Sequence, residues 1–165
     1  MTGLYGMAAD NVLEREVITA NGTYHITSPT QNPDLFWVLN GGGGGSYAVV
    51  LSTTSKIHPD GPASGASLSF DTSNITVDDF WAGIAAYHVN LEAIVDTGIV
   101  ILTELTNSTF ALYSVNASHK TTDEVIEILQ PFIANLTALA IPFTFSTTYF
   151  DNWYDHYAHY YGPLP

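Results

Sequence analysis

The first fifty residues alternate short apolar runs with turn-forming residues. Residues 17–19 and 24–27 are rich in β-branched and aromatic side chains, and Asn21-Gly22 lies between them. Asn-Gly between two such runs is the strongest short-range signal for a β-hairpin. We therefore predict that a hairpin opens the chain.

A short helix is predicted next, over residues 32–40. Asn32 is a favourable N-cap residue, and Pro33 suits the first helical position because its missing N–H has no partner there. Gly41 can end the helix in a left-handed conformation.

The glycine run at residues 41–45 invites comparison with phosphate-binding loops. No Lys-Ser/Thr pair follows it, and Ser46 occupies the last glycine position of the G-x-G-x-x-G pattern, so neither motif is complete. A helix end followed by a close backbone crossing is the favoured interpretation, and direct contact with a cofactor is the alternative. The apolar run 47–51 then predicts a buried strand.

From residue 60 onward the pattern predicts a second lobe, after turn-forming residues 60–65 that predict a linker. Helices are expected to begin near Thr76 and at Thr121, and the four expected strands are residues 68–71, 99–102, 109–115 and 143–150. The order β-α-β-β-α-β is that of a ferredoxin-like, helix-backed antiparallel sheet. The predicted fold class is therefore α+β.

Both helices of this lobe carry an apolar stripe at three- or four-residue steps, which predicts that one face packs on the sheet. Thr121 and Glu124 have the spacing of a capping box. Pro131 is expected to kink or split the second helix, since proline lacks the N–H that a helix interior uses. The stripe residues are Phe80, Ile84, Tyr87, Leu91 and Ile94 in the first helix, and Val125, Leu129, Phe132, Leu136 and Leu139 in the second.

The succession Asp-Asn-Val at residues 10–12, hairpin, Asn-Pro-Asp-Leu-Phe-Trp at 32–37, glycine run and Val-Val strand resembles the vanillyl-alcohol-oxidase-type (VAO-type) flavoproteins. Within them it is most similar to the berberine-bridge-enzyme-like fungal oxidases. The resemblance is specific over residues 5–59 and architectural beyond. It implies that residues 1–59 are the C-terminal part of a PCMH-type FAD-binding domain and residues 60–165 a partial substrate domain.

The resemblance implies FAD as the cofactor and suggests which residues contact it. Backbone groups of the strand that contains Ile18 would contact the adenosine end. Gly6, Asp10 and Asn11 match a loop that passes close to the dinucleotide, where glycine permits a close backbone approach. Alternatively, Asp10 and Asn11 only form an Asx-turn before a strand.

The implied reaction is hydride transfer from a substrate carbon to the flavin, followed by reoxidation with O₂, with an alcohol, an amine or a sugar as substrate. In the family, the covalently linked His and the catalytic Tyr lie in upstream and downstream segments that this chain lacks. No catalytic residue can be assigned here, and the chain alone is expected to be inactive. The alternative function is a non-catalytic, secreted acidic binding protein derived from the oxidase fold.

The densest aromatic run, residues 149–161, would provide the binding surface for that alternative, because exposed aromatic side chains bind sugars and protein partners. His156, His159 and Asp155 have a spacing that metal sites use, but a structural zinc ion takes four ligands and no other cluster is visible. We predict no metal. The two histidines are interpreted as solvent-facing polar partners between core aromatic residues.

Charge restricts the partners. The 165 residues carry a formal net charge of −13, which disfavours nucleic acid and anionic membrane surfaces and favours cationic or neutral small-molecule substrates. Only Arg15, Lys56 and Lys120 are basic, so flavin phosphates are expected to be held by backbone N–H groups.

Five Asn-X-Ser/Thr sequons indicate a glycoprotein with a secreted parent, although asparagine and threonine are abundant enough for some sequons to be accidental. They begin at Asn21, Asn74, Asn107, Asn116 and Asn135. Asn135 falls where a helix is expected to bury it. The absence of cysteine excludes disulfides and fits either redox compartment.

Overall fold

The computed structural model describes residues 2–43 and 45–164. Two compact units are present, residues 4–59 and residues 60–164. Each contains helices and an antiparallel sheet, so the predicted α+β class is confirmed. Gly44, which belongs to the predicted glycine loop, lies outside the described residues.

The first unit is built on a three-stranded antiparallel sheet with the order β2-β1-β3. The predicted hairpin is present: Gly22 has a φ of 82°, and its N–H donates to the carbonyl of Thr19 over 2.8 Å. A small core of Val17, Leu39 and Ala48 joins the sheet to α2. The elements up to residue 55 are α1 (Thr2–Tyr5), a 3₁₀ helix (Ala8–Asn11), β1 (Val12–Thr19), β2 (Tyr24–Thr27), α2 (Pro33–Gly41) and β3 (Ala48–Ser55).

Both ends of α2 differ from the prediction in detail. Asn32 does not cap the helix with its side chain; it has a left-handed backbone, φ 48°, and its Nδ2 donates to the carbonyl of Ile26 over 2.8 Å. Asparagine tolerates this conformation better than other L-residues. The helix continues through Gly41, and the left-handed glycine is Gly43, with a φ of 92°.

The second unit has the predicted β-α-β-β-α-β order, followed by one more helix. Its strands pair antiparallel throughout in the order β5-β6-β4-β7, so the two strands central in the sheet are the first and third in the chain. The elements are β4 (Ala63–Asp71), α3 (Val77–Val95), β5 (Val100–Leu105), β6 (Thr109–Ser118), α4 (Thr122–Ala138), β7 (Thr144–Phe150) and α5 (Trp153–Tyr161). Strand β4 begins at Ala63, so it takes up half of the expected linker.

The apolar stripes of α3 and α4 pack on one face of this sheet and form the main core. Phe80, Phe110 and Phe132 are almost fully buried at its centre, and their rings contact Tyr87 or Phe70 in edge or stacked geometry. Such pairs add to the burial of large apolar surfaces. The helix predictions from periodicity are therefore confirmed.

Helix α4 is continuous across Pro131, so of the two predicted outcomes, a kink or a split, the split does not occur. The proline lies on the exposed side of the helix, where water can take the place of the missing N–H. The capping box is present as expected: Glu124 N–H donates to Thr121 Oγ1, and Thr121 N–H donates to Glu124 Oε2 over 2.7 Å. The backbone N–H of Thr121, and after it the Thr121 hydroxyl, donate to the Glu124 carboxylate and hold its pKa below its usual value.

Candidate functional site

Ile18 lies in a depression of about 480 Å³ on the first unit. It pairs with Tyr24 of β2 and with Val49 of β3, so the depression lies where the hairpin turn meets the start of β3. The residues that line it are Ile18, Thr19, Ala20, Gly22, Gly45, Ser46, Tyr47, Ala48 and Val49.

The chemistry of this lining fits one end of a dinucleotide. None of its described residues is charged, and its small side chains leave backbone N–H and C=O groups within reach of a ligand. Exposed Val49 and Tyr47 offer apolar surface on which a planar ring can pack. These residues could therefore hold a nucleoside by backbone hydrogen bonds and apolar contact.

Gly6, Asp10 and Asn11 form a compact loop held by its own side chains. Gly6 has a φ of 77°, and the Oδ2 of Asp10 accepts from the N–H of Met7 over 2.7 Å. The Nδ2 of Asn11 donates to the carbonyls of Tyr5 and Met7, each over 3.0 Å. In this chain the two polar side chains therefore shape the loop, as the local-turn interpretation proposed.

His58 completes this loop. Its Nε2 lies 2.8 Å from Asn11 Oδ1, and its ring stacks on Tyr5 with centroids 3.8 Å apart. The N–H of Lys56 donates to the carbonyl of Asn11 over 2.7 Å. These contacts join residues far apart in the chain, so no local pattern could have indicated them.

The structure does not bring the two groups of candidate cofactor residues together. Asn11 directly precedes β1, and Ile18 lies near its other end. Because a strand rises about 3.3 Å per residue, their Cα atoms are roughly 20 Å apart. A single ligand would have to be extended along the sheet to reach both.

The chain's one arginine, Arg15, lies outside the depression. It is 9% exposed, and its Nη1 donates to Oδ1 of Asn40 at the end of α2. Burial lowers its pKa from the usual value. Lys, Arg and His side chains stabilise helix C-termini, so Arg15 is placed to support α2 rather than to meet a ligand in the depression.

In the second unit, most of the aromatic run forms α5, and one of its histidines is buried rather than solvent-facing. His156 is 1% exposed, with the rings of Phe150, Trp153 and Tyr160 within about 6 Å of its own. Its Nε2 donates to Asn116 Oδ1 over 2.9 Å, and its Nδ1 has no hydrogen-bond partner among the described residues. Burial, with a smaller contribution from His159, lowers the pKa of His156 to about 4. At neutral pH it is an uncharged part of the core.

Asn116 connects this histidine to the rest of the unit. Its Nδ2 donates to Tyr161 OH over 3.2 Å and to the carbonyl of Val100 over 3.3 Å. Tyr161 OH in turn lies 2.6 Å from Ser114 Oγ. In the sequence, the only pattern that includes Asn116 is a sequon.

The sheet face opposite α3 and α4 carries hydroxyl groups next to α5. Ser67 Oγ lies 2.8 Å from Ser146 Oγ, and Ser69 Oγ lies 2.7 Å from Thr144 Oγ1. Both serines alternate along β4 with the buried Leu68, so they point away from the core. This face is polar and open, with a depression of about 300 Å³ beside His159.

A second aromatic feature lies at the start of α5. Asp60, Trp153, Tyr154, Tyr157 and Leu164 line a mostly apolar cleft of about 350 Å³. Asp60 Oδ1 accepts from the backbone N–H groups of Gly61 and Trp153, and these donors lower the pKa of its carboxyl group.

Within residues 2–43 and 45–164, no group of three or more acidic or histidine side chains is arranged to hold a metal ion. In the same part of the chain, no helix has the length and apolar character needed to cross a lipid bilayer.

The fold of this chain matches that of a solved VAO-type flavoprotein over part of that protein's length. The crystal structure of the VAO-type flavoprotein MtVAO615 from Myceliophthora thermophila C1 matches 99% of this chain with a TM-score of 0.93 at 38% identity, and the match covers 30% of that chain. A moss protein, BBE-like 1 from Physcomitrella patens, has a TM-score of 0.80 at 16% identity, which shows the fold alone.

Sequence relatives agree. FAD-linked oxidoreductase ZEB1 from Gibberella zeae is 44% identical over 161 residues, which are 98% of this chain and 28% of that protein. VAO-type flavoprotein oxidase VAO615 from Thermothelomyces thermophilus is 38% identical over 165 residues, which are 29% of its length. No family model matches the chain. The predicted relationship to VAO-type, FAD-linked oxidoreductases is confirmed, and this chain spans less than a third of the length of these relatives.

Proposed function

We propose that this chain contributes to an FAD-linked oxidoreductase of VAO type that oxidises an alcohol, an amine or a sugar. The observation that carries the proposal is the match to MtVAO615 along 99% of the chain. The uncharged depression around Ile18 supports it, because its lining suits the adenosine end of FAD.

When bound, FAD would supply the hydride-accepting chemistry. The residues of the depression would orient the nucleoside end by backbone hydrogen bonds. In the second unit, the hydroxyl groups of β4 and β7 would offer donors and acceptors to a polar substrate. Because the chain corresponds to under a third of the length of the two sequence relatives named above, we propose that it binds FAD weakly by itself and does not turn over substrate.

The test is a titration of the purified chain with FAD, followed by flavin fluorescence and by melting temperature. A ligand that binds only the folded state stabilises it by RT ln(1 + [L]/Kd), so the melting temperature rises with the concentration of the ligand. A saturable change in flavin fluorescence together with a rise in melting temperature is the expected result.

Two matched variants locate the binding. Val49→Glu places a carboxylate at the depression, where it repels the flavin phosphates, and Val89→Glu places one on the exposed face of α3 in the second unit. We expect Val49→Glu to abolish the response and Val89→Glu to retain it. Equal responses from both variants would refute a site at Ile18. No response from the folded, unsubstituted chain would mean that FAD binds only to a longer protein that includes this chain.

The aromatic cleft of α5 supports a second candidate function, a non-catalytic acidic protein that binds carbohydrate. Tyr154 is half exposed and lies beside Trp153, an arrangement on which a sugar ring can stack. Titration with a neutral oligosaccharide should change the tryptophan fluorescence, and Tyr154→Ala should remove that change while Tyr149→Ala, equally exposed on β7, retains it. No change in the unsubstituted chain would exclude this function for the oligosaccharide used.

A further inference from the structure

The asparagines of the five sequons lie in different environments in the structure. Asn21, Asn74 and Asn107 lie in exposed turns, whereas Asn116 lies in β6 and is 8% exposed. Asn135 is exposed on α4, contrary to expectation, and its Oδ1 accepts from Asn90 over 3.0 Å. We propose that Asn21, Asn74 and Asn107 are N-glycosylation sites of this protein and that Asn116 is not.

In the side chain of Asn21, the oxygen accepts two hydrogen bonds within the turn, and the nitrogen takes part in neither of them. The Oδ1 accepts from the N–H of Thr23 over 3.1 Å and from Thr19 Oγ1 over 2.7 Å, which is an Asx-turn within the hairpin. The Nδ2 lies outside these bonds. A glycan on Nδ2 therefore leaves the turn intact.

Asn107 and Asn74 occupy turns that other residues hold in place. Around Asn107, the Oγ1 of Thr106 accepts from the N–H groups of Ser108 and Thr109. Asn74 precedes the N-cap of α3, where Thr76 Oγ1 accepts from the N–H of Asp79 over 3.1 Å. Both asparagines can thus carry a bulky, hydrated group at no cost to the fold.

Asn116 cannot carry a glycan in the folded protein. Both ends of its carboxamide are in use, with Oδ1 accepting from His156 and Nδ2 donating to Tyr161 and Val100. A sugar on Nδ2 removes one N–H donor and requires room where the side chain is almost fully enclosed. The sequon at Asn116 is therefore incompatible with occupancy once α5 is packed.

The modification is a group transfer from a lipid-linked oligosaccharide diphosphate, the sugar donor of the secretory route. The asparagine Nδ2 forms a bond to the anomeric carbon, the bond from that carbon to the diphosphate oxygen breaks, and Nδ2 releases one proton. No oxidation or reduction occurs. The product keeps the carboxamide oxygen, which at Asn21 preserves the Asx-turn.

The test is to secrete residues 1–165 from a eukaryotic host behind a cleaved leader and to isolate the folded monomer. Enzymatic removal of N-glycans in water enriched in the heavy oxygen isotope converts each occupied asparagine into labelled aspartate, which peptide mass spectrometry locates. We expect label at residues 21, 74 and 107 and unlabelled Asn116. Each single substitution of those three asparagines by glutamine should remove one glycan.

Two results would overturn the proposal. One is the absence of label at any of the three turn sites in the secreted monomer, which would show that turn geometry does not select the acceptors. The other is label at Asn116 in folded monomer, which would show that the buried network around His156 does not exclude a glycan. Because every site is read in the unsubstituted protein, no conclusion depends on a variant that fails to fold.

Discussion

His156 Nε2 donates to Asn116 Oδ1 over 2.9 Å, and this bond joins α5 to β6 where both side chains are buried. A buried hydrogen bond contributes modestly when it is made but is costly to leave half-made, because the remaining partner loses water without gaining a replacement. The packing of α5 therefore depends on the pair as a unit.

Substitution Asn116→Ala should destabilise the protein by about 1–3 kcal/mol, since it leaves the buried N–H of His156 without an acceptor. We expect a decrease in melting temperature of several degrees, measured by circular dichroism. The matched control is Asn107→Ala in an exposed turn, which should stay within about 0.5 kcal/mol of the unsubstituted protein. Equal losses from the two variants would contradict the role of Asn116.

Stability should fall as the pH is lowered through the range in which His156 differs between the folded and unfolded states. The folded pKa is lowered to about 4 from 6.5, so folding favours the neutral ring, and its contribution is complete above the unfolded pKa. That contribution is lost progressively as the pH falls from about 6.5 to about 4, by up to about 3 kcal/mol. Urea denaturation at several pH values measures it.

The control variants separate this effect from other titrations. His156→Gln should flatten the stability profile between pH values of about 6.5 and 4.5, because no imidazole remains to be protonated. His88→Gln, at an exposed position on α3, should keep the slope. The carboxylates with lowered pKa values, Asp60, Asp71 and Glu124, lose their contribution at lower pH, as the pH falls below their ordinary values.

Gly65 should not tolerate even a methyl group. A Cβ there would lie 2.6 Å from the hydroxyl oxygen of Tyr160 and 2.9 Å from Cε1 of His156. We expect Gly65→Ala to displace α5 from β4 and to cost about 1–3 kcal/mol. Gly41→Ala, where a Cβ meets nothing within 4 Å, should be close to neutral or slightly stabilising. A neutral Gly65→Ala would mean that α5 packs less closely than described.

Asp60 should matter for the start of α5. Its carboxylate accepts from the N–H of Trp153, the first residue of the helix, where negative charge is favourable. Asp60→Ala should increase amide hydrogen exchange in the first turn of α5 and lower the melting temperature. Asp151→Ala, an exposed neighbour in sequence to the same helix, is the control and should change neither.

Local patterns predicted the positions of most helices and strands, because their causes are local, but the expected burial of the strand at residues 47–51 was wrong, since β3 exposes Val49 and Leu51. The stripe from Phe80 to Ile94 and the capping box at Thr121 are properties of a single helix, and both are present. The capping role of Asn32 was predicted incorrectly. Its side chain donates to the carbonyl of Ile26 on the preceding strand and does not cap the helix that follows. A capping preference states what a residue can do but not which neighbour competes for it.

The candidate sites were harder to predict, because they depend on contacts between distant residues. His58 reaches Asn11 across 47 positions, and His156 reaches Asn116 across 40, so neither spacing forms a motif. Resemblance, rather than periodicity, identified Ile18 as a candidate. Its place in the depression depends on the pairing of β1 with the start of β3, which lies about thirty residues further along the chain.

The position of β4 in the middle of the second sheet sets the order in which this unit can be completed during synthesis. Both neighbours of β4 come later in the chain, β6 after about forty residues and β7 at residues 144–150. Until β7 has left the ribosome, one side of β4 exposes unpaired backbone groups that can associate with other chains. The first strand of this unit to be made is thus among the last to be protected, and nascent chains that end before residue 144 should require a chaperone to stay monomeric.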